Sequence, residues 1–426
     1  MLFCRSGDRD TLRIEGARVL DPTEGIDGPF DVTIEDGHIV RIAPAGASAS
    51  GLVLAPAFVD PHVHLRTPGR EDEETIASGT AAAAAGGYCA ILAMPNTDPV
   101  VDSAAVLGAL VELARAEALI PTGFMASISR GLRGEELTEM AELAGLGAAA
   151  FTDDGHPVVS AGLMQRALQY SAVAGRLLAL HEEEPALSRD GQMHEGAVSA
   201  ELGLAGWPSV AESIMIERDL AIAAYEQRSL HIMHVSALES VAALRAAKAR
   251  GVNVTAEVTP HHLCLTDDAV RSLETNTKMN PPLRAEADRL ALLEALRDGT
   301  ICCVATDHAP HARHEKEAPF EEAPFGVTGL ETAFSALYTM LVEPGELPLE
   351  VMLERMSAGP ARAFGLPVPR ISEGEVANVV LLDLDARRQV SEGGFRSRSV
   401  NSWLLGKTLH GTVVKTVADG RVVFAA

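Results

Sequence analysis

The chain has 426 residues, more than one small hydrophobic core can use, so we expect one large domain with a smaller one, or two to three ordinary domains. Its 35 basic and 59 acidic residues give a formal net charge of −24, which argues against binding to nucleic-acid phosphates or anionic membranes. A hydrophobic content of 47% with 22% charged residues is typical of a globular protein. Because the net charge is negative, an anionic substrate would need positively charged side chains close to its binding site.

The cysteines and the N-terminus predict a cytoplasmic protein. There are five cysteines, an odd number, and none has C-x-x-C spacing, which favours a reducing compartment. The first residues lack the apolar stretch of a signal peptide, and no apolar segment is long enough to span a bilayer.

Both ends of the chain predict β-structure. Asp36-Gly37 and Asp419-Gly420 each separate two runs rich in β-branched residues, which indicates two hairpins, and residues 379–382 add a further strand. Neither end could bury a core alone. We therefore predict a small β-sandwich built from residues 1–55 and 367–426.

Residues 56–366 alternate strand-like apolar runs with helical patterns. One helix is predicted from a cap at Ser103, and another from a capping box formed by Ser236 and Glu239. Repeated strand–helix units over this length predict an α/β fold with a closed (β/α)8 barrel. An open doubly wound sheet is the alternative, but no glycine-rich phosphate-binding motif follows any strand.

The segment around His62 and His64 is the first candidate for chemistry. Alternate residues of a strand point to the same face, so these two imidazoles would lie side by side. Neutral imidazole is a good ligand for zinc and similar divalent metals. Two ordinary surface or core histidines are the alternative interpretation of this pair alone.

Further potential ligands occur where other apolar runs stop, and the C-terminal ends of barrel strands meet at one mouth. These residues are the pair Asp153 and Asp154, then His181, His234 and Asp307. Singly, each has a simple alternative, such as a turn, a buried histidine or a loop cap, and the run Glu182 to Glu184 is interpreted as a helix N-terminus or a solvated face. Their recurrence predicts two metal ions that share a bridging group.

Six sequence blocks then resemble the amidohydrolase superfamily and, more narrowly, the bacterial dihydroorotases. The blocks are DPHVHLR at 60–66, MPNT at 94–97, FTDDG at 151–155, MNPPLR at 279–284, ATDHAPH at 305–311 and APFGVTGLET at 323–332. The resemblance spans nearly the whole chain. It implies a barrel with a composite β-sandwich and one or two zinc ions, one held by His62, His64 and Asp307 and the other by His181 and His234.

The resemblance also identifies the bridging group. Many members of the superfamily use a carboxylated lysine at this position, whereas one group of bacterial dihydroorotases resembles this chain in placing an aspartate there. The first lysine of the chain is Lys248, far beyond the block at 151–155. Asp154 is therefore the bridge by family match, and Asp153 is expected to face away from the metals.

The activity implied is the reversible cyclisation of N-carbamoyl-L-aspartate to (S)-dihydroorotate in pyrimidine biosynthesis. Asp307 would be catalytic, taking a proton from the attacking water and delivering it to the departing amide nitrogen. Arg66 would bind the substrate carboxylate as a fork. The resemblance implies a set of substrate-binding residues that comprises His64, Arg66, Asn96, Asn280, His311, Phe325 and Gly326.

Two other functions remain open from the sequence. One is a non-catalytic scaffold partner of aspartate carbamoyltransferase, and the other is a different cyclic amidase such as a hydantoinase. The resemblance further implies a homodimer and allows association with aspartate carbamoyltransferase. His261 and His262 are expected to be structural or to support the site, whereas His156 and His194 are assigned no role.

Overall fold

The computed structural model describes residues 1–46 and 50–426. Its strands, in chain order, are β1 (Leu12–Asp21), β2 (Ile26–Glu35), β3 (His38–Pro44), β4 (Val53–Pro56), β5 (Phe58–Val63), β6 (Tyr88–Ala93), β7 (Thr122–Phe124), β8 (Leu178–Leu180), β9 (Met193–His194), β10 (Gly206–Trp207), β11 (Leu230–Ile232), β12 (Val254–Val258), β13 (Cys303–Val304), β14 (Val379–Gln389), β15 (Thr408–Ala418) and β16 (Arg421–Ala425).

The α-helices are α1 (Ile76–Ala85), α2 (Ala104–Glu117), α3 (Met140–Leu146), α4 (Ala161–Ala174), α5 (Pro185–Ser188), α6 (Ala197–Leu202), α7 (Val210–Glu226), α8 (Leu238–Ala249), α9 (Pro260–Cys264), α10 (Glu286–Asp298), α11 (Arg313–Lys316), α12 (Ala333–Leu337), α13 (Leu349–Met356) and α14 (Ala358–Ala363). Short 3-10 turns lie at Arg130–Leu132, Asp267–Ser272, Thr275–Thr277 and Glu392–Gly394, and a π-helical turn lies at Tyr338–Val342. Among the residues described, no helix combines the length and apolarity that a membrane crossing requires.

The two ends of the chain meet in one mixed sheet of order β16-β15-β14-β4-β1-β2-β3. β4 lies at its centre, parallel to β1 and antiparallel to β14. The far edge bends back toward β14, since His38 forms an antiparallel bridge with Val376. Buried side chains of this sheet, with Ile34, Leu54 and Val379 among them, form one apolar cluster. Strands from the two ends of the chain thus share one sheet, as predicted. That this sheet forms the two facing layers of a β-sandwich stays a prediction.

The middle of the chain forms parallel strands. β5, β6 and β7 pair in that order, and β8, β11, β12 and β13 pair in a second series. Phe151 joins the two series through parallel bridges to Ala126 and Leu178, and a parallel bridge from His308 to Val63 returns to β5. The pairings thus run in a circuit of eight parallel segments. The predicted α/β fold with a parallel sheet is confirmed.

The hairpins and the helix predicted from short sequence signals are present in the structure, and one predicted helix cap is not. Both Asp-Gly hairpins form, as the pairs β2–β3 and β15–β16. α2 begins after Ser103 and buries Leu107, Leu110, Val111 and Ala114. The predicted capping box at Ser236 is wrong, because the N–H and hydroxyl of Ser236 both donate to the buried carboxylate of Glu212, and α8 begins after Ala237.

Candidate active site and metal centre

The six predicted metal ligands lie in or after strand ends on one side of the parallel circuit, and all six are buried. Their order along the chain is His62 and His64 in and after β5, Asp154 after the bridge residue Phe151, His181 after β8, His234 after β11 and Asp307 after β13. Because parallel strands present their C-terminal ends to the same side, side chains far apart in sequence meet there.

Asp154 lies at the centre of the four imidazoles. Its carboxylate oxygens are 3.5 Å from His62 Nε2, 3.6 Å from His64 Nε2, and 3.8 Å from both His181 Nδ1 and His234 Nε2. The neighbouring Asp153 is turned away, with its carboxylate bonded to Ser129.

Asp307 closes the other side of the cluster. Its Oδ1 atom lies 3.0 Å from His64 Nε2 and 3.4 Å from His62 Nε2. Two donors on one tetrahedral zinc ion, each bonded at about 2.05 Å, are ~3.3 Å apart. The observed separations therefore fit atoms that share a cation, and they are longer than good hydrogen bonds in most cases.

The charges of the cluster also fit a cation. Burial by itself would raise the pKa of Asp154, but the charge of His62, together with the neighbouring His234 and His64, holds it well below its ordinary value. For Asp307, burial again opposes the charges of His62 and His64, and the pKa is lowered. Burial lowers the pKa of His62, yet Asp307, Asp154 and Glu257 raise it well above normal. The position facing His62 Nε2 thus favours positive charge.

Three of the imidazoles are anchored at the nitrogen that points away from the cluster. His62 Nδ1 lies 2.7 Å from Glu257 Oε1, His64 Nδ1 lies 3.0 Å from Asn96 Oδ1, and His181 Nε2 lies 3.1 Å from Glu183 Oε2. Carboxylate and amide oxygens accept, so each outer nitrogen carries the proton and donates. The inner nitrogen is left with a lone pair for a metal, and His62 Nε2 makes no hydrogen bond to any described residue.

Several of these residues have strained backbones. Asp307 has φ 47°, His234 has φ 32° and Arg66 has φ 56°, all in the left-handed region that non-glycine residues seldom adopt. Such conformations persist where the surrounding structure enforces them, and they cluster at functional sites. Here they aim side chains into the same space.

A cavity of about 190 Å³ opens beside the cluster. Its walls include every residue predicted to bind substrate, namely His64, Arg66, Asn96, Asn280, His311, Phe325 and Gly326, together with Asp154, Gly155, His181, Asp307 and Ala309. A larger cavity of about 510 Å³ lies beyond His311 and is lined by none of the six metal-ligand candidates. The smaller cavity is the one that joins substrate groups to the metal cluster.

Arg66 is the cation at this cavity. Its Nε atom donates to the carbonyl of Pro310 at 3.0 Å and lies 3.1 Å from the buried carboxylate of Glu73. Burial lowers the pKa of Arg66, opposed by Glu73, but an arginine stays charged. These contacts hold one edge of the guanidinium inside the protein.

His311 lies next to Arg66, with its Nε2 atom 3.4 Å from Arg66 Nη2 and 2.8 Å from the carbonyl oxygen of Phe325. Burial, followed by the charges of Arg66 and Lys316, lowers the pKa of His311 to about 3, so this imidazole is neutral at working pH. A neutral imidazole donates from Nε2 to Phe325.

The loop that carries Phe325 and Gly326 is fixed by two buried lysines. Lys278 Nζ donates to the carbonyls of Phe320, Glu321 and Ala323, and Lys316 Nζ donates to those of Pro324 and Gly326. Gly326 has φ 109°, and a Cβ there would lie 2.7 Å from the Cβ of Ala309. Only glycine fits this position without a shift.

Comparison with known proteins gives the family. Residues 51–240 match the family model described as Dihydro-orotase-like. A protein of Geobacter metallireducens named Dihydroorotase is 45% identical over 421 residues, covering 97% of this chain and 99% of that protein. One of Pelotomaculum thermopropionicum with the same name is 46% identical over 422 residues, covering 97% and 98%. The chain belongs to the dihydroorotase family.

Solved structures agree with this assignment at the level of the fold. The L-hydantoinase (dihydropyrimidinase) of Arthrobacter aurescens superposes with a TM-score of 0.85 at 25% identity, covering 97% of this chain and 96% of that one. The dihydropyrimidinase of Brevibacillus agri superposes with a TM-score of 0.83 at 22% identity. The predicted family is confirmed.

Two acidic residues near the dihydroorotase-family site were missed by sequence reasoning. Glu257 in β12 bonds to His62 and His231, and burial, which raises its pKa, is outweighed by His62 and His231, which lower it to about 2. Glu184 caps the N-terminus of α5 by accepting from the N–H of Ala186, so the first interpretation of residues 182–184, a helix N-terminus, is confirmed. The alternative, a solvated face, is wrong, because Glu183 bonds to His181. The alternation of apolar and polar residues in β12 is the only signal that could have suggested Glu257.

The other predicted histidines lie as follows. His262 donates from Nε2 toward the carbonyl of Pro281 at 2.9 Å and contacts the Thr259 hydroxyl at 2.8 Å, and its ring lies 4.6 Å from that of His261. Both are buried and contact none of the six candidate ligands by hydrogen bond among the residues described. His194 contacts Arg284 instead.

Proposed function

We propose that this chain is a dihydroorotase, a metal-dependent cyclic amide hydrolase that interconverts N-carbamoyl-L-aspartate and (S)-dihydroorotate. The observation that carries the proposal is the cavity that joins a six-residue donor cluster to a buried arginine. The substrate has both an amide to be attacked and a carboxylate to be held, and the cavity offers a group for each. Relatives at about 45% identity that carry this name support it.

The residues present fit one or two divalent metal ions, and we propose zinc. Four imidazole nitrogens with two carboxylates are typical zinc donors. In this proposal His62, His64 and Asp307 would hold one ion, His181 and His234 would hold the second, and Asp154 would be the ligand that both share. When bound, such ions lower the pKa of a water molecule and polarise the substrate carbonyl.

Asp307 is the proposed proton carrier. Its ionised carboxylate faces the cavity and lies next to His64, so it can accept a proton from the attacking water. In hydrolysis it then delivers that proton to the departing amide nitrogen. In cyclisation the same carboxylate removes the ureido proton as the nitrogen attacks, because the two directions are microscopic reverses.

The substrate would be held by the cavity wall. Arg66 presents its free edge to the substrate carboxylate, with the neutral His311 beside it. The Oδ1 atom of Asn280 is buried and has no hydrogen-bond partner among the described residues, so it can accept a ureido N–H. The carbonyl of Phe325 accepts one bond, from His311, and a substrate would use its second lone pair. The carbonyl of Gly326 already accepts from both Lys316 and Asn401, so Gly326 would contribute the space that its missing side chain leaves.

The decisive experiment compares the loss of the Asp307 carboxylate with the loss of the Asp153 carboxylate. Asp307→Asn is expected to lower kcat by at least about 100-fold in both directions, in line with the loss of a general acid–base group, while the protein retains bound metal. Asp153→Asn is the matched control, because that buried carboxylate bonds to Ser129 and is turned away from the cluster. Turnover is followed by the absorbance of dihydroorotate, and metal content by elemental analysis.

Near-normal turnover in Asp307→Asn would rule out the proton transfer. A wild-type protein with no metal and no turnover would instead favour the scaffold function, and a preference for neutral hydantoins would favour another cyclic amidase. Neither alternative is favoured by the relatives, and every predicted ligand position is filled.

We further propose that the circuit of parallel strands is a closed (β/α)8 barrel at residues 56–366 and that residues 1–55 and 367–426 form a β-sandwich. The circuit of pairings and the shared terminal sheet support this division. A homodimer, a cytoplasmic location and association with aspartate carbamoyltransferase stay predictions.

A further inference from the structure

A chain of buried hydrogen bonds runs from the metal cluster back through the parallel strands. Glu257 is fully buried in β12, and its Oε1 atom lies 2.7 Å from His62 Nδ1. Its Oε2 atom lies 3.0 Å from Nε2 of His231, which is also fully buried, in β11. His231 Nδ1 in turn lies 2.8 Å from the hydroxyl of Thr255.

The direction of each bond follows from the groups involved. The carboxylate of Glu257 can only accept, so His62 donates from Nδ1 and His231 donates from Nε2. His231 Nδ1 then accepts from the hydroxyl of Thr255. Thr255 lines a separate cavity of about 310 Å³, together with Cys302 and Asn253. The chain therefore fixes one proton position at every link.

Glu257 also reaches a second ligand candidate. The backbone N–H of His234 points to Glu257 Oε1 at 3.3 Å. One carboxylate thus contacts the imidazole of His62 and the backbone of His234, residues assigned to different metal positions. His234 has φ 32°, so the contact from its N–H to Glu257 helps to hold a strained backbone conformation in place.

We infer that Glu257 is a positioning residue for the metal centre, which holds the His62 ring with Nε2 toward Asp154 and Asp307, and that His231 holds Glu257 in turn. This inference rests on the proposed function. A carboxylate behind an imidazole fixes its tautomer and makes the inner nitrogen more basic, and loss of such a partner typically weakens metal affinity by about 10- to 100-fold. The effect should appear in metal binding itself, before any catalysis.

The test measures metal affinity of the metal-free protein by competition with a coloured chelator, using Zn²⁺ and Co²⁺ as probes. Glu257→Gln keeps the size of the side chain but removes its charge, and we expect a 10- to 100-fold weaker Kd with an altered Co²⁺ absorption spectrum. Glu212→Gln is the matched control, since Glu212 is a buried carboxylate that bonds to Ser236 and Ala237 and touches no candidate ligand. Its Kd should stay within about threefold of wild type.

A second variant covers the case in which Glu257→Gln fails to fold, which the unfolding midpoint of the metal-free protein would reveal. His231→Gln leaves the Glu257–His62 contact in place and removes the outer support, so a smaller loss of affinity in the same direction is expected. Wild-type affinity in a folded Glu257→Gln protein, or in His231→Gln, overturns the inference. An equal loss in Glu212→Gln also overturns it, because the effect would then be general.

Failure of this inference is distinguishable from failure of the proposed function. If the wild-type protein binds metal and turns over dihydroorotate while the variants bind metal equally well, only the positioning role falls. If the wild-type protein binds no metal, the proposed function falls first.

Discussion

At the scale of single residues, the site is rigid because three of its four imidazole rings have a hydrogen-bond partner on the side away from the cluster. His62, His64 and His181 donate outward to Glu257, Asn96 and Glu183, so none can rotate without losing a buried hydrogen bond. Leaving a buried donor unpaired costs about 1–3 kcal/mol. Asn96 contacts two candidate ligands, because its Oδ1 atom accepts from His64 and its amide N–H donates to Asp154 at 3.1 Å. It therefore orients two ligand candidates while lining the cavity.

Arg66 gives a prediction at this scale. Arg66→Met would remove the proposed charge-assisted contact to the substrate carboxylate, worth about 1.5–3 kcal/mol, so KM should rise by roughly 10- to 100-fold while kcat changes much less. Steady-state kinetics with dihydroorotate and with N-carbamoyl-L-aspartate provide the measurement. The control is Arg70→Met, because Arg70 also pairs with Glu73 but does not line the cavity.

An unchanged KM in Arg66→Met, or the same rise in both variants, would contradict this assignment. The second result would mean that the loss of charge around Glu73, rather than a contact with the substrate, raises KM.

What the sequence could supply at this scale was the group of candidate ligands, because strand ends of a barrel meet at one mouth and each candidate lies at or after the end of an apolar run. These candidates are His62, His64, Asp154, His181, His234 and Asp307. The partners behind the rings could not be foreseen. Glu257 and Glu183 act through contacts made only after the chain has folded, and a lone glutamate in a strand or in an acidic run has no distinctive spacing.

At the scale of elements, the cavity depends on a loop whose main-chain carbonyls accept hydrogen bonds from lysine side chains. Residues 320–326 lack regular structure, and their carbonyls are bound by the ammonium groups of Lys278 and Lys316. The Lys278 ammonium also lies 4.7 Å from the centre of the Phe325 ring. Hairpins and α2 were predictable because their signals are local, whereas this loop depends in part on Lys278, which is 42 residues from Phe320 in sequence.

The lowered pKa of the buried Lys316 predicts that the stability of the protein depends on pH. Burial, followed by the charge of Lys278, lowers the pKa of Lys316 from its ordinary 10.5 to about 7. Between these values the unfolded chain binds the proton and the folded protein does not, so the contribution of Lys316 to the free energy of unfolding rises with pH, by at most about 1.4 kcal/mol per unit. Below pH 7 both states are charged and the burial cost is present in full.

The measurement compares wild type with Lys316→Met in denaturant unfolding at intervals from pH 7 to pH 10. The wild-type advantage over the variant should grow with pH. Lys407→Met serves as the control, because Lys407 is exposed, and its difference from wild type should stay constant. A Lys316→Met difference that is flat or that shrinks with rising pH would contradict the argument.

At the scale of the whole molecule, the six ligand candidates come from five separate strand ends, so a bound metal ties together much of the parallel circuit. Any ligand that binds only the folded state raises its stability, by about 2.7 kcal/mol at a concentration 100-fold above Kd. The metal is therefore expected to be a structural as well as a chemical component.

Chelation tests this expectation. Removing metal should abolish turnover and lower Tm by several degrees, and added Zn²⁺ should restore both, whereas Ca²⁺ should restore neither because it prefers oxygen ligands. In Asp154→Asn, which loses the proposed bridge, chelator should shift Tm much less. A Tm that is the same with and without chelator in the wild-type protein would contradict a role for metal in holding the strand ends together.

The central place of β4 in the terminal sheet has a consequence for synthesis. β4 leaves the ribosome early, but its partner β14 emerges only after almost all of the intervening chain, a delay of tens of seconds at about 5–20 residues per second. During that time the nascent protein carries an open strand edge, which can pair with other chains. Premature termination would release products with this edge permanently uncovered, so incomplete translation should yield aggregates rather than a smaller working enzyme.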